Sequence, residues 1–216
     1  MGDLHGMDAE LRAILRAYLG KRHLVFLGDY VNRGPHSHEV IELLVDATKR
    51  WPDLITTLRG NHDQSVLNYI NGGEFVDFIS MGGLATIASY TSVVGDDIRT
   101  AFRESMPTSH VEFLQQLPDY FERDDVFASH CGPNPARPES RSRRDVALGS
   151  HFSFFRDDST WVFDKPIVCG HYVQRDRRAY LSERLSVIDT GCGTIQGAPL
   201  SVLLWPERRV RQFGGY

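Results

Sequence analysis

Hydrophobic positions in the first part of the chain follow two different periods. In residues 8–19 the apolar side chains recur every three or four positions, which predicts an amphipathic helix with Asp8 as its N-cap. Residues 24–28 form a short continuous apolar run, which is typical of a buried strand. A second helix is predicted from an N-cap at Ser37, and a second strand at residues 54–58.

The pattern changes after the middle of the chain. Residues 63–117 have a helical period that is interrupted by glycine-containing turns, and the remainder is rich in short β-branched runs. Residues 132–145 hold three prolines and almost no apolar side chain, so we predict a surface loop there. We therefore predict a single α/β domain over residues 1–216. The strands of its second half are predicted at 126–129, 166–169, 178–181, 185–189, 199–205 and 208–213.

Composition narrows the possible functions. Hydrophobic residues make up 41% and charged residues 24%, as in ordinary globular proteins. A net charge of −4 gives no basic field for a nucleic acid polymer or a membrane surface. No apolar run reaches the roughly 18 residues that a membrane span requires. Three cysteines are too few for a disulfide framework, which favours a cytoplasmic protein, and no obligate protein partner is evident.

Metal-binding residue types follow several of the predicted strands. They occur in the clusters GDLHG (2–6), GDYVNRG (28–34) and RGNHD (59–63), and as two later histidines. The carboxyl ends of strands in α/β folds meet at one crevice, so we expect these side chains to converge. Carboxylate, imidazole and amide ligands suit two divalent ions such as Mn, Fe or Zn better than Mg or Ca. The expected cluster comprises Asp3, His5, Asp29, Asn61, His62, His130 and His171.

In this order and spacing, the clusters resemble the phosphoprotein phosphatase branch of the calcineurin-like metallophosphoesterases. The resemblance extends over residues 2–193, and SMGGLATIASY (80–90) is similar to the bacterial serine/threonine phosphatases of that branch. Diadenosine tetraphosphate hydrolases are close relatives. The resemblance implies a four-layer α/β fold, in which helices flank a central β-sandwich, and a site for two divalent metal ions, with Mn²⁺ expected first and Fe or Zn as alternatives.

The resemblance also implies roles for individual residues. The metal ligands would be Asp3, His5, Asp29, Asn61, His130 and His171, with Asp29 bridging both ions. Arg33 and Arg156 would hold the phosphate oxygens, whereas Arg59 would either contact the substrate or brace its loop. His62 would act as the general acid, beside Asn32.

General physical chemistry agrees with these roles. Two metal ions about 3.5–4 Å apart clamp a phosphoryl group and make a bridging water nucleophilic near neutral pH, so no protein nucleophile is needed. The sequence accordingly contains no GxSxG elbow and no Walker-type phosphate loop. Arginines would neutralise the phosphoryl oxygens, and a protonated His62 would accelerate the departure of a poor leaving group roughly 10²–10⁴-fold.

The sequence departs from the family pattern at Asn32, where the family has an aspartate. Asparagine supplies no negative charge to stabilise a protonated imidazole, so we expect His62 to be a weaker acid at neutral pH. A serine alkoxide needs that proton far more than a phosphoanhydride or an aryl oxide does. Asn32 therefore favours nucleotide polyphosphates or activated esters as substrates.

A second departure lies at the chain start. The family has an apolar strand before GDxHG, whereas here Asp3 follows only Met1 and Gly2. We expect that the start is trimmed or misassigned, or that another segment fills the position of the strand. Otherwise the ligands of the first ion lie at a fraying terminus, which predicts weaker binding there than at the second site.

Three functions remain open at this stage. The first is metal-dependent hydrolysis of phosphomonoesters, above all phosphoserine and phosphothreonine in proteins, which the chain length favours. The second is hydrolysis of diadenosine tetraphosphate, which Asn32 favours. The third is a pseudoenzyme that binds phosphate without turnover. The expected partner is thus a phosphoprotein or a phosphorylated small molecule.

Overall fold

Helices occupy the first part of the chain and strands dominate the second. The computed structural model describes residues 1–95, 97–151 and 161–215. The helices are α1 (Asp8–Tyr18), α2 (Ser37–Arg50), α3 (Asn61–Ile70), α4 (Phe75–Ser80), α5 (Gly83–Tyr90), α6 (Ile98–Ser105) and α7 (Thr108–Gln116), and Arg144–Leu148 form a π-helical turn. The strands are β1 (Leu24–Phe26), β2 (Ile55–Thr57), β3 (Tyr120–Arg123), β4 (Val126–Ser129), β5 (Ile167–Cys169), β6 (Tyr180–Leu181), β7 (Leu185–Val187), β8 (Leu200–Leu204) and β9 (Arg209–Phe213).

The larger sheet has the strand order β3-β4-β5-β7-β6. Its three inner strands are parallel, with Phe127 opposite Ile167 and Val168 opposite Ser186, and antiparallel strands lie at both edges. The remaining strands form a parallel pair, β1-β2, and an antiparallel hairpin, β8-β9. Because the inner strands of the larger sheet are parallel, their carboxyl ends lie along the same edge.

Side chains at the end of β1 and along β4 alternate between two faces and thereby define the layers. Phe26 packs with the helices, whereas the adjacent Leu27 packs between the sheets with Ala128 and Val168. Phe127, on the opposite face of β4, joins a third cluster that contains residues of the π-helical turn. A fully buried side chain of this kind contributes roughly 1.5–3 kcal/mol. The succession of helices, sheet, sheet and outer cover confirms the predicted four-layer fold.

Residues 1–2 connect the two small sheets. The amino group of Met1 donates to Val25 O at 2.7 Å, Leu27 N donates to Met1 O at 3.1 Å, and Gly2 N donates to Ser201 O at 3.0 Å. These two residues therefore lie in line between β1 and β8. A mainly apolar cavity of about 260 Å³ lies beside Met1. Asp3 is buried rather than placed at an exposed end.

The two predicted helix N-caps are wrong by one position. Asp8 and Ser37 are the first residues of α1 and α2, and neither helix has a side-chain hydrogen bond at its cap. Asp8 instead accepts a hydrogen bond from Arg12 at 3.1 Å. The Ser37 hydroxyl lies 3.1 Å from that of Thr86 and connects α2 to α5. An ion pair at Asp8 and a tertiary contact at Ser37 therefore take the place of local capping.

The predicted surface loop at 132–145 is more ordered than its composition suggests. Most of its side chains are at least partly exposed, but Asp145 is buried and accepts hydrogen bonds from Asn134, Ser140 and Ser142. These donors hold the pKa of Asp145 well below its usual range. Within the described residues, none of the helices is both long enough and apolar enough to span a bilayer.

Candidate dinuclear metal centre

The predicted metal ligands converge at the carboxyl ends of the strands. Asp3 and His5 follow the pair that connects β1 and β8, and the other ligands, Asp29, Asn61, His130 and His171, each lie within four residues of a strand's last residue. Most of the converging side chains are buried, and some of their donor atoms approach one another within 3.0–3.3 Å. The structure brings together all of the predicted ligands, namely Asp3, His5, Asp29, Asn61, His130 and His171.

Asp29 occupies the middle of this cluster. Its Oδ2 atom lies 3.3 Å from His130 Nε2, 3.7 Å from His5 Nε2 and 3.9 Å from His62 Nε2. Its Oδ1 atom accepts the backbone N–H of His62 at 2.9 Å, which fixes the orientation of the carboxylate. A carboxylate oxygen that faces ligands on two sides has the geometry of a bridging ligand.

A second set of donor atoms meets around Asn61. Its Oδ1 atom lies 3.0 Å from both His130 Nε2 and His171 Nδ1, and the two imidazole nitrogens are 3.2 Å apart. On the other side, the carboxylate of Asp3 accepts the backbone N–H of His171 at 3.2 Å. The amide oxygen and both rings therefore present ligand atoms to one point.

Backbone carbonyl groups orient two of the histidines. His5 Nδ1 lies 2.9 Å from Val31 O, and His130 Nδ1 lies 3.0 Å from Leu27 O. Each Nδ1 donates to its carbonyl, so in each ring Nε2 faces Asp29. Metal-binding histidines commonly have this arrangement, in which the second ring nitrogen donates to an oxygen and fixes the ring.

The pKa values reflect a buried negative cluster. Burial would raise the pKa of Asp29, but His130, His62 and His5 hold it well below the usual range. Burial likewise lowers the pKa of His130, but Asp29 outweighs this effect and raises it to about 10. Burial lowers the pKa of His5 and of His171 to about 3. Positive charge is therefore favoured beside Asp29, whereas the other two rings are neutral ligands.

Asp189 is part of this cluster, although the sequence analysis did not include it. It is buried two residues after β7, and its Oδ2 atom has no hydrogen-bond partner among the described residues. Burial first, and then Asp189, raise the pKa of Asp3 well above its usual range. Asp189 is the last residue of the strand predicted at 185–189, and its position at a strand end is the signal that identified the other ligands. A cation beside Asp3 would offset the repulsion between these two carboxylates.

Close backbone approach brings the loops after β1 and β2 together. Asp63 accepts the backbone N–H groups of Asp29, Tyr30 and Gly60 at 2.8–2.9 Å. A Cβ atom at position 60 would collide with the carboxylate of Asp29. Glycine is therefore required there by space, and Asp63 holds both loops in register.

Arg33 lies across two of the imidazole rings. Its Nη1 atom is 2.9 Å from His5 Nε2 and 2.6 Å from Thr194 Oγ1, and its Nη2 atom is 3.0 Å from His62 Nε2. Neutral imidazole is a weaker partner for guanidinium than a phosphate is, because a phosphate accepts two charge-assisted hydrogen bonds in parallel. The position of Arg33 at the mouth of the ligand cluster suits phosphate binding.

Asn32 contacts His62 and connects it to α5. The Asn32 Nδ2 atom lies 3.0 Å from His62 Nδ1 and donates to Ser65 Oγ at 3.2 Å. Its Oδ1 atom accepts the hydroxyl of Thr86 at 2.8 Å. The amide nitrogen faces Nδ1 and the guanidinium of Arg33 faces Nε2, so donors approach both ring nitrogens, of which a neutral ring offers only one as an acceptor. Burial lowers the pKa of His62 from its ordinary value.

Arg59 is placed away from the ligand atoms. Its guanidinium donates to Leu114 O at 2.9 Å, to Gln115 O at 2.9 Å and to Leu117 O at 3.0 Å. It also pairs with Asp119 at 3.2 Å. Of the two roles considered, these contacts favour bracing the loop over contacting the substrate. The other predicted phosphate ligand, Arg156, lies outside the described residues.

Comparison with known proteins identifies the family. The family model described as calcineurin-like phosphoesterase matches residues 1–175. The chain belongs to this family. Its members are phosphoester hydrolases with a dinuclear metal site, and the converging carboxylate, imidazole and amide ligands fit two such ions.

Solved structures share the fold with this calcineurin-like phosphoesterase. A candidate diadenosine tetraphosphatase is 24% identical with a TM-score of 0.65, and the match covers 100% of this chain and 91% of that one. A metallophosphoesterase from Sphaerobacter thermophilus is 18% identical with a TM-score of 0.57, at 100% and 86% coverage. A serine/threonine phosphatase from Saccharomyces cerevisiae with similarity to human phosphatase PP5 is 17% identical with a TM-score of 0.58, at 100% and 78% coverage.

Proposed function

We propose that this chain hydrolyses phosphate esters and anhydrides at a dinuclear metal centre, and that it prefers leaving groups that need little protonation. Nucleoside polyphosphates such as diadenosine tetraphosphate would therefore be better substrates than phosphoserine or phosphothreonine. The supporting observation is the contact of His62 with an amide group, Asn32, in place of a carboxylate.

The bound metal ions would polarise the phosphoryl oxygens and activate a water molecule for attack. We propose Mn²⁺ for both sites, with Fe and Zn as alternatives, because the ligands combine imidazole with carboxylate and amide oxygens. Asp3, His5 and Asp29 would hold the first ion. Asn61, His130 and His171 would complete the second with Asp29.

Arg33 would bind the phosphoryl oxygens of the substrate. Its guanidinium already lies between His5 and His62, and Thr194 fixes one of its nitrogens at 2.6 Å. A phosphate oxygen is a stronger acceptor than either neutral ring, so the substrate would replace the imidazole contacts. Arg33 would then neutralise charge that develops on the oxygens in the transition state.

The state of His62 decides which leaving groups depart easily. Burial lowers its pKa, and Asn32 provides no negative charge to compensate for that effect. A neutral imidazole is a poor proton donor at neutral pH. An alkoxide from phosphoserine requires a proton as it leaves, whereas a nucleotide phosphate from an anhydride leaves as a stable anion.

Chain length no longer opposes a nucleotide substrate. The chain covers 91% of the candidate diadenosine tetraphosphatase, so a protein of that description has a similar length. The length argument that favoured phosphoproteins therefore loses its weight. The contact between Asn32 and His62 then favours a nucleotide substrate.

The test compares the parent enzyme with Asn32→Asp after loading with Mn²⁺. We measure kcat/KM for a phosphoserine peptide and for diadenosine tetraphosphate. The parent should prefer the nucleotide, and the added carboxylate should raise peptide turnover about tenfold or more while changing nucleotide turnover little. A pH profile should show the basic limb of peptide turnover moving to higher pH in the variant.

Equal gains on both substrates would contradict the proposed role of Asn32. A parent enzyme that prefers the peptide would favour the phosphoprotein phosphatase. Absence of turnover on both substrates, with two metal ions bound per chain, would favour the phosphate-binding pseudoenzyme.

A further inference from the structure

A second cluster of metal-binding side chains lies between α2 and α7, outside the dinuclear centre. His38 and Glu42 are four residues apart on α2 and so lie on the same helix face. His110 projects from α7, and its Nε2 atom is 2.6 Å from Glu42 Oε2. One ligand atom from each of the three residues lies within 4.8 Å of the others.

His110 is oriented as a ligand rather than as a surface side chain. Its side chain is fully buried, and its Nδ1 atom lies 2.8 Å from the hydroxyl of Tyr90. As the contacts stand, Nε2–H donates to Glu42 and Nδ1 accepts the Tyr90 hydroxyl; in the other tautomer Nδ1–H donates to the Tyr90 oxygen and leaves the lone pair of Nε2 for a metal ion. Metal-binding histidines are commonly fixed in this way through their second nitrogen. Burial also lowers the pKa of His110, so a cation need not displace a proton at neutral pH.

His38 completes the cluster from the other side. Its ring lies 5.1 Å from the ring of His110 and 4.9 Å from that of Tyr90, measured between centroids. Its backbone N–H donates to Ser89 Oγ at 3.2 Å, which fixes the first turn of α2. A simple hydrogen bond between His110 and Glu42 would not require a second imidazole at this position.

Charge around the cluster also favours a cation. The hydrogen bond from His110 holds the pKa of Glu42 below its usual value, so Glu42 is a carboxylate. The neighbouring Glu39 has an Oε2 atom without a hydrogen-bond partner among the described residues, and it lies 3.8 Å from His36 Nδ1. Lys49, at the other end of α2, is the nearby cation that opposes this negative charge.

We infer that His38, Glu42 and His110 form a separate binding site for one divalent transition-metal ion of the zinc class. Two imidazoles and one carboxylate are typical ligands of Zn²⁺, Co²⁺ or Ni²⁺, and they exclude Ca²⁺ and Mg²⁺, which prefer oxygen ligands throughout. The side chain of Glu42 is about half exposed, so water can complete the coordination. The ion would join α2 to α7 by direct ligand bonds.

The experiment measures Zn²⁺ stoichiometry on the full chain. Protein stripped of metal is dialysed against buffered Zn²⁺ and analysed for zinc per chain, and the imidazole signals are followed by long-range ¹H–¹⁵N NMR spectroscopy. The wild-type protein should bind three ions, and the signals of His38 and His110 should shift with the ion that lies outside the dinuclear centre. His38→Ala and Glu42→Gln should each lower the affinity for that ion at least about tenfold and leave two ions bound.

His36→Ala provides the matched control, because His36 lies two residues from His38 and its side chain is half exposed. This variant should retain three ions. The thermal midpoint in chelator should be the same for all of these variants, which shows that the fold is unchanged. Two ions in the wild-type protein, or three in His38→Ala, would overturn the inference.

Discussion

Left-handed backbone conformations are concentrated at the residues that form the metal centre. Among the described residues outside glycine, positive φ angles occur at His5, Asp29, Asn32, Arg33 and His171, and otherwise only at Arg177 and Arg208. Each such conformation costs about 1–3 kcal/mol and persists because the surrounding packing imposes it. Five of these seven residues are predicted site residues, so the fold accepts local backbone strain where it directs these side chains to one point.

Arg33 provides the residue-scale test of substrate binding. We expect Arg33→Ala to lower kcat/KM about 10²–10³-fold on every phosphorylated substrate, because charge on the phosphoryl oxygens is no longer neutralised. Arg33→Lys should recover little of this loss, since an ammonium group cannot form two parallel hydrogen bonds. Steady-state kinetics and metal analysis check the result, and bound metal should stay at the wild-type level.

Arg178→Ala is the control for overall charge, because Arg178 is exposed and lies outside the cluster. Its kinetics should match those of the wild-type protein. A loss of metal together with activity in Arg33→Ala would refute the phosphate-binding role and indicate that Arg33 supports the ligands instead.

At the scale of elements, one arginine joins the loop after β2 to the end of α7. Arg59 donates to three carbonyl groups at or just after the last turn of α7, including Leu114 O and Leu117 O. Helix ends leave carbonyl groups without intrahelical partners, so Arg59 caps α7 from outside. Asp119 balances part of its charge.

We expect Arg59→Met to lower the free energy of unfolding by about 3 kcal/mol, because buried carbonyl groups lose charged donors. Urea denaturation measures this change. Activity per folded molecule, assayed well below the unfolding midpoint, should remain near the wild-type value. Normal stability combined with lost turnover would instead assign Arg59 to substrate binding. Arg59→Lys, which retains one of the donors, should be intermediate in stability.

Periodicity predicted the elements that carry the site, because every metal ligand follows a strand or a strand-like pair. The same rule identifies Asp189 after β7, yet its significance depends on proximity to Asp3, which arises from distant parts of the chain. Ser37 shows why caps are harder to predict, since its hydroxyl contacts Thr86 of α5 and does not cap α2. The sequence alone did not decide whether Arg59 braces its loop, because the partners of Arg59 are backbone carbonyl groups, which every residue has.

At the scale of the whole molecule, the four layers bring several carboxylates into one buried region. Asp3, Asp29, Asp63 and Asp189 are each at most 2% exposed and approach from separate segments of the chain. Hydrophobic packing on both sides of the sheets therefore holds these carboxylates close together. Their desolvation and mutual repulsion cost free energy, which positively charged partners must offset. His130, whose pKa is raised to about 10, offsets this cost beside Asp29, whereas burial and Asp189 leave Asp3 with a raised pKa.

Metal removal should therefore destabilise the whole fold. Ions at about 100 times their dissociation constant stabilise a protein by about 2.7 kcal/mol each. For a chain of this size, that corresponds to a fall of roughly 5–11 °C in the thermal midpoint per ion when a chelator is added. Calorimetry with Mn²⁺ and with chelator measures the difference.

Asp3→Asn separates metal binding from intrinsic stability in this experiment. The variant loses a proposed metal ligand, so the shift between added Mn²⁺ and chelator should shrink. It also removes one of two adjacent buried carboxylates, so in chelator at neutral pH its midpoint should equal or exceed that of the wild-type protein. A lower midpoint in chelator would mean that the negative charge of Asp3 stabilises the metal-free fold, and that its attraction to His130 outweighs the repulsion from Asp189.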